Sequence, residues 1–246
     1  MEKILILTGG SKGIGSGIIA AYSQAGYRIF SVSRTKNEEG KFEKLEQIQF
    51  DLSNTSGLES IVNSIFTVLN KDKVEKITLI NNAGTIGPIK RLEKISPEDI
   101  ERTVRLNTVA PLILTSLFIK FTKDWKCPKK IITVSSGAAI NPYYGWTTYC
   151  STKAAVDMMT KAVTLEQSRV EHGAKTIAIY PGVVDTGMQE QIRSTEPADF
   201  IELNRFIDYK NSGALVDKDI VGQEIYAIGH NESYESGAII NIKDTR

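Results

Sequence analysis

The sequence predicts an α/β fold, a doubly wound parallel sheet of about seven strands with helices on both faces, formed by one domain over residues 1–246. Three observations lead to this fold class. Short apolar runs alternate with longer segments in which apolar residues recur at helical spacing. A glycine-rich turn follows the first apolar run directly. The 246 residues, of which 41% are hydrophobic, are enough to build one large core.

The predicted strands are short runs rich in Ile and Val, which is typical of parallel strands that are buried on both faces. They cover residues 4–7, 27–33, 48–50, 77–80, 130–134, 176–180 and 238–242.

Helical spacing of apolar residues predicts the connecting helices, which cover residues 13–24, 58–69, 148–171 and 219–228. A further helix starts at Ser96, where a capping hydroxyl precedes a proline and two acidic residues. Gly173 ends the helix over 148–171.

The segment 187–213 differs from the rest, because it is charged and irregular. It is interpreted as a substrate-binding insertion over the active site, not as a second domain. Its apolar residues follow helical spacing, so they either face inward as a lid or belong to a helix packed on the body. These residues are Phe200, Leu203, Phe206 and Ile207.

Composition argues against several classes of protein. Thirty basic residues nearly balance 29 acidic ones, which gives no reason to expect a nucleic-acid partner. The two cysteines and two histidines are too few and too dispersed for a disulfide scaffold or a metal site. The N-terminus lacks the features of a signal peptide, and no apolar run is long enough to span a bilayer. We therefore expect a cytoplasmic protein that has no metal site and binds no membrane.

The glycine-rich turn over residues 8–15 lies between a strand and a helix, where it can bind a dinucleotide. Glycines let the backbone approach a pyrophosphate, and the helix start supplies N–H groups and a positive dipole end. The spacing is G-x-x-x-G-x-G, which is neither the commonest dinucleotide fingerprint nor a P-loop. The predicted cofactor-binding residues here are Gly9, Ser11, Lys12, Gly13, Ile14 and Gly15.

The end of the second strand indicates which dinucleotide is bound. NAD-binding proteins place an acidic residue there for the ribose 2′-hydroxyl, whereas an arginine accommodates a 2′-phosphate. Here Arg34 follows the strand, and no acidic residue occurs before Glu38. Arg34 can bind phosphate through two hydrogen bonds, and Lys12 adds a second positive charge. Although either could be an ordinary surface cation, together they favour NADP.

Three polar residues form a candidate catalytic group. Tyr149 and Lys153 are four residues apart and therefore share one face of a helix. A nearby ammonium is expected to lower the pKa of the phenol, which then transfers a proton to or from the substrate oxygen. Ser136 follows the fifth strand, where its hydroxyl can bind the same oxygen.

These motifs, in this order, resemble those of the short-chain dehydrogenases/reductases over nearly the whole chain. The resemblance implies a nicotinamide-dependent Rossmann-type oxidoreductase in which Ser136, Tyr149 and Lys153 are catalytic and Lys153 also binds the nicotinamide ribose. It further implies that Asn107 links Lys153 to a water chain for proton relay.

The same resemblance assigns the remaining cofactor contacts. Asp51 and Leu52 follow the third strand, and Asp51 would contact the adenine. The motif N-N-A-G after the fourth strand would flank the cofactor, and P-G-x-x-x-T after the sixth would bring Thr186 to the nicotinamide carboxamide. The residues implied are Asp51, Leu52, Asn82, Ala83, Gly84, Pro181, Gly182, Val184 and Thr186.

The C-terminal residues 236–244 are similar to those of the sepiapterin-reductase and benzil-reductase branch. This ending favours a homodimer through two long helices over a tetramer. Tyr143 and Trp146, between Ser136 and Tyr149, predict an apolar pocket for a flat ring, although packing would explain them equally well.

The substrate is expected to be a ketone or diketone, and the predicted pocket for a flat ring favours an aromatic one. Three alternatives stay open from the sequence: a 3-oxoacyl thioester reductase, a steroid-type reductase, and a non-catalytic redox sensor that binds NADP.

Overall fold

A computed structural model describes residues 1–245 and contains the predicted sheet, with seven parallel strands in the order β3-β2-β1-β4-β5-β6-β7. The strands are β1 Glu2–Thr8, β2 Arg28–Ser33, β3 Leu45–Gln49, β4 Val74–Asn81, β5 Lys129–Val134, β6 Lys175–Tyr180 and β7 Ile239–Asn241. The α-helices are α1 Ile14–Gln24, α2 Leu58–Thr67, α3 Pro97–Val104, α4 Ala110–Thr122, α5 Thr147–Gln167, α6 Gly187–Arg193, α7 Leu203–Asn211 and α8 Lys218–His230. This arrangement confirms the predicted fold class.

The two faces of the sheet bury alternate residues of each strand. In β1, Ile4 and Ile6 join a cluster with α2 and α4, whereas Leu5 and Leu7 join a cluster with α1 and α8. All four are at most 3% exposed. Burial of each such side chain contributes roughly 1.5–3 kcal/mol, so both helical layers are held to the sheet by its apolar side chains.

Helices α1 and α8 cross at an unusually small separation. A Cβ atom added to Gly17 would lie 2.1 Å from the carbonyl oxygen of Lys218, and one added to Gly222 would lie 2.2 Å from the carbonyl carbon of Gly17. Only glycine therefore fits on both sides of this crossing, which sets how closely α1 packs against α8.

Several predicted boundaries were wrong. Strand β3 covers Leu45–Gln49 and not residues 48–50, because it pairs at the sheet edge through Leu45 and its polar neighbours, which the apolar content did not reveal. Helix α5 ends at Gln167, not at Glu171, and a series of turns follows it, in which His172 has a φ of 55°. Helix α4 was not predicted.

The segment 187–213 is helical at both ends, forming α6 and α7, in contrast to its irregular sequence pattern. Phe200 is fully buried, and Leu203 and Phe206 are nearly so. They pack against Trp146 and Tyr149, so the apolar spacing within this segment corresponds to a packed face.

The helical stretch Pro97–Thr122 is, at 26 residues, long and apolar enough to cross a membrane by length and composition alone. It consists of α3, a π-helical turn over Arg105–Val109 and α4. Leu114, Leu117 and Phe118 pack into the core under the sheet, which accounts for its apolar composition.

Candidate active site

The candidate site lies at the carboxyl edge of the sheet, where the strand order reverses between β1 and β4. Crevices at such reversal points are the usual ligand sites of open α/β sheets. The glycine turn leaves β1 here, and the segment Asn82–Gly84 leaves β4 beside it. Ser136 follows β5 and the P-G-x-x-x-T segment follows β6, so four strand ends contribute to one crevice.

The glycine turn has the geometry of a phosphate cradle. Gly13 has a φ of 56°, and no side chain caps the N–H groups at the start of α1, which begins at Ile14. A Cβ atom on Gly15 would lie 1.9 Å from the carbonyl oxygen of Gly9. The turn is therefore too tight for any side chain at that position, while Ser11 and Lys12 remain at least partly exposed. The free N–H groups fit an anionic pyrophosphate.

Hydrogen bonds join the ends of β1 and β4. The Thr8 hydroxyl accepts from the backbone N–H groups of Asn82 and Ala83, each at 3.0 Å. The Asn82 amide donates to the carbonyl oxygens of Thr8 and Gly9, also at 3.0 Å. These bonds hold the glycine turn against the Asn82–Gly84 segment.

The end of β2 carries a positive charge, and no acidic residue follows this strand before Glu38. Arg34 is exposed and forms no ion pair among residues 1–245. The backbone N–H of Ser53 and, more weakly, Arg34 lower the pKa of Asp51, so Arg34 and Asp51 lie near each other. Leu52 beside them is buried. Glu39, the second acidic residue after this strand, pairs with Lys218 at 2.8 Å.

The P-G-x-x-x-T segment packs against the glycine turn. A Cβ atom on Gly13 would lie 3.2 Å from the methyl group of Thr186. Pro181 is buried, and so is Val184, which forms a β-bridge with Val216. Thr186 is therefore next to the turn where the cofactor phosphates would bind.

Ser136 and Tyr149 face each other at the mouth of the crevice. Burial raises the pKa of the Tyr149 phenol to about 12, and a side-chain hydrogen bond with Ser136 acts in the opposite direction. The expectation that Lys153 lowers this pKa was wrong, because the burial of Tyr149, which is 7% exposed, raises it instead. The phenol is therefore neutral near pH 7 and holds the proton that a carbonyl oxygen would accept.

Lys153 lies one helical turn from Tyr149, with its Nζ atom 5.6 Å from the centre of the phenol ring. Its ammonium donates to the carbonyl oxygen of Val134 at 2.8 Å. Burial lowers the pKa of Lys153 to about 8, and the charge of Asp157 opposes this shift. The side chain can therefore lose its charge near physiological pH.

Asn107 lies in the π-helical turn and is buried. Its amide oxygen accepts from the backbone N–H of Thr85 at 2.9 Å, and its nitrogen donates to the carbonyl oxygen of Thr85 at 2.8 Å and to the Thr152 hydroxyl at 3.1 Å. A Cβ atom on Gly84 would lie 3.4 Å from Asn107 Oδ1 and 3.7 Å from Lys153 Nζ. The side chains of Asn107 and Lys153 therefore both lie close to Gly84.

A cleft of about 200 Å³ opens beside Ser136 and Tyr149. Tyr143 and Trp146, both predicted to contact substrate, line it and stack with ring centres 4.6 Å apart. Phe206 of α7 packs edge-on against Trp146 at 5.4 Å. The aromatic residues between Ser136 and Tyr149 therefore pack against α7 and also form part of the cleft wall.

Some residues of this region were not predicted from the sequence. Asn37, which is buried, donates to the carbonyl oxygen of Gly10 at 3.0 Å and supports the glycine turn. Asp157 accepts a hydrogen bond from Tyr180, a residue that lines the cleft. Asp157 could have been found, because it continues the four-residue spacing of Tyr149 and Lys153. Arg205 and Lys243, which also line the cleft, carried no local signal.

Comparisons with known proteins agree with this geometry. The sequence profile described as short chain dehydrogenase matches residues 3–197. Benzil reductase ((S)-benzoin forming) of Bacillus cereus is 40% identical over 250 residues, which cover 98% of this chain and 100% of the relative. Sepiapterin reductase of Bos taurus is 27% identical over 260 residues, which cover 99% of this chain and 95% of the relative. The crystal structure of the KRED1-Pglu enzyme superposes with a TM-score of 0.83 at 22% identity, covering 96% of this chain and 99% of that one.

Proposed function

This chain belongs to the short-chain dehydrogenase family, and we propose that it is an NADPH-dependent carbonyl reductase that converts an aromatic ketone or diketone to an alcohol. The observation that carries this proposal is the pair of facing hydroxyls, Ser136 and Tyr149, with Lys153 one turn away at the edge of a nucleotide crevice. The 40% identical relative is named for its reduction of benzil, an aromatic diketone, which supports the same substrate class.

The fit of the site to a nicotinamide dinucleotide rests on the uncapped N–H groups of α1 and the close approach at Gly15. The proposed contacts are those predicted from the sequence, with Arg34 and Lys12 at the 2′-phosphate. When bound, the reduced nicotinamide supplies a hydride. Arg34 has no carboxylate partner among the described residues, so it is available for the phosphate that distinguishes NADPH from NADH.

In the proposed reaction, the Ser136 hydroxyl donates a hydrogen bond to the substrate carbonyl oxygen and stabilises the negative charge that develops there. Tyr149 Oη gives its proton to the same oxygen. The Lys153 ammonium stabilises the resulting phenolate, because an opposite charge nearby favours the charged form. Asn107 is a positioning residue that holds the loop after β4 to α5 through Thr85 and Thr152.

Replacement of Tyr149 by Phe tests the reaction. Tyr149→Phe removes the proton donor but keeps the ring, so NADPH oxidation with 1-phenyl-1,2-propanedione should fall by roughly 10²- to 10⁴-fold, the contribution typical of a positioned general acid. The dissociation constant for NADPH should stay close to that of the wild type. Tyr144→Phe is the matched control, because Tyr144 is 37% exposed and lies outside the cleft lining. Wild-type turnover by Tyr149→Phe would refute the assignment of Tyr149 as the proton donor, whereas a wild-type protein that binds NADPH but oxidises it with no carbonyl compound would favour a cofactor-binding sensor.

Reversal of one charge tests the cofactor preference. Arg34→Glu places a carboxylate where we propose the 2′-phosphate, so NADPH binding should weaken by roughly 100-fold or more while NADH binding changes little. Isothermal titration with both cofactors measures the ratio. Equal losses for the two cofactors would reject NADP specificity.

We also propose that segment 187–213 covers the bound substrate and that two chains associate through α4 and α5. Leu112 on α4 and Met158 and Leu165 on α5 are 46%, 64% and 70% exposed, which leaves apolar area available for such an interface. A cytoplasmic location and a small-molecule substrate, with no nucleic acid or membrane partner, complete the proposal.

A further inference from the structure

We propose that the cleft selects aromatic carbonyl compounds that also carry a carboxylate, that is, aromatic oxo acids. This inference rests on the proposed function, because it concerns the substrate of the same site. It adds a charge requirement that neither the motifs nor the similarity to benzil reductases implies.

The charges that line the cleft all have one sign. Among its lining residues, Arg205 and Lys243 are cationic, and none is Asp or Glu. Neither cation forms an ion pair within residues 1–245. By contrast, Lys210, on the same helix as Arg205 but outside the lining, pairs with Asp185 at 2.6 Å. The cleft therefore presents two positive charges that no carboxylate of the described chain neutralises.

Arg205 is held in place by its neighbour in the cleft wall. Its Nε donates to the Tyr209 hydroxyl at 2.6 Å, and its guanidinium carbon lies 5.5 Å from the centre of the Tyr209 ring. The nearest acidic influence comes from Glu202, three residues earlier, which acts through space without forming an ion pair. The bond at Nε orients the guanidinium and leaves its terminal nitrogens free to bind the two oxygens of a carboxylate.

Lys243 lines the cleft from the C-terminal segment of the chain. A Cβ atom on Gly182 would lie 3.5 Å from Lys243 Cε, so the lysine stem rests on the glycine of the P-G-x-x-x-T segment. Asn241, two residues earlier, lines the cleft beside it. An anion in the cleft would therefore have cationic groups from α7 and from the C-terminal segment.

The apolar walls of the cleft indicate that the ligand also carries an aromatic ring. Tyr143, Trp146 and Phe206 form a continuous aromatic surface, in which Tyr143 and Trp146 stack and Phe206 packs edge-on against both. A flat ring packs well against such a surface. With Ser136 and Tyr149 positioned for a carbonyl oxygen, the cleft combines three recognition elements: an aromatic wall, hydroxyls for a carbonyl, and cations for a carboxylate.

Equilibrium binding of product analogues tests the charge requirement without the complication of carbonyl reactivity. Mandelate and mandelamide have nearly the same shape but differ by one negative charge. With saturating oxidised NADP, mandelate should bind the wild type at least roughly tenfold more tightly than mandelamide, a typical effect of a charge-assisted hydrogen bond. Arg205→Gln and Lys243→Gln should each reduce this ratio severalfold. Lys210→Gln, the matched control, should leave the ratio unchanged, because Asp185 already neutralises that charge.

A ratio near one in the wild type, or a tenfold ratio that survives in both cleft variants, would overturn the inference. Turnover of the neutral 1-phenyl-1,2-propanedione separates this failure from that of the proposed function. If the wild type reduces the neutral diketone but shows no preference for mandelate, only the charge requirement is wrong. If it oxidises NADPH with neither the diketone nor phenylglyoxylate, both proposals fail.

Discussion

Gly15→Ala is the substitution for which the structure predicts the size of the effect most directly. The new Cβ atom would lie 1.9 Å from the Gly9 carbonyl oxygen, whereas a carbon and a carbonyl oxygen ordinarily approach to about 3.3 Å. The turn would therefore have to open by more than ~1 Å, and the N–H groups at the start of α1 would move away from a bound pyrophosphate. Loss of one such charge-assisted hydrogen bond costs about 1.5–3 kcal/mol.

This cost corresponds to a roughly 10- to 150-fold increase in the dissociation constant for NADPH. Fluorescence titration measures that constant, and thermal unfolding measures the accompanying loss of stability. Gly17→Ala is the control, because Gly17 lies on the same helix as Gly15 but its Cβ atom would meet the Lys218 carbonyl oxygen of α8, at 2.1 Å, and not the turn. Both variants should be less stable than the wild type, but only Gly15→Ala should lose affinity by more than tenfold. If Gly15→Ala binds NADPH as the wild type does, the turn is not the pyrophosphate site.

Two further predictions concern proton transfer and assembly. Because burial lowers the pKa of Lys153 to about 8, kcat/KM should fall as the pH rises through that value and the ammonium is lost. The Asp157 charge raises this pKa, so Asp157→Asn should move the fall in kcat/KM to lower pH, and an unchanged pH profile would exclude Asp157 from this role. Leu165→Lys places a charge in the proposed dimer interface and should yield a monomer in analytical ultracentrifugation, whereas a dimer that persists would locate the interface elsewhere.

The parts of the site that the sequence predicts well are those whose chemistry is local. The glycine turn combines a strand, a spacing of glycines and a helix start within residues 4–24, and the structure has all three in that place. Tyr149 and Lys153 share a helix face because four residues make about one turn. In each case, neighbouring residues determine the geometry, so the pattern is enough to predict it.

What the sequence did not predict depends on contacts between distant segments. Strand β3 is a partly polar edge strand whose pairing with β2 defines it, and nothing in its composition indicates this. Helix α7 is stabilised by Phe206 against Trp146, sixty residues earlier in the chain. The buried charge of Asp157 and the cations Arg205 and Lys243 acquire their roles only when α5, α7 and the C-terminal segment meet at one cleft.

The π-helical turn over Arg105–Val109 has a consequence for how such a site can change in evolution. A π turn contains one more residue than the α-helical turn that would replace it, and one residue rotates a helix by about 100°. Loss of the extra residue would restore an ordinary α-helical turn, so Leu114 and Phe118 would stay on the buried side of α4, whereas side chains within the turn, Asn107 among them, would point in new directions. Within a lineage, this amide can be gained or lost in one mutational step, without redesign of the hydrophobic interior.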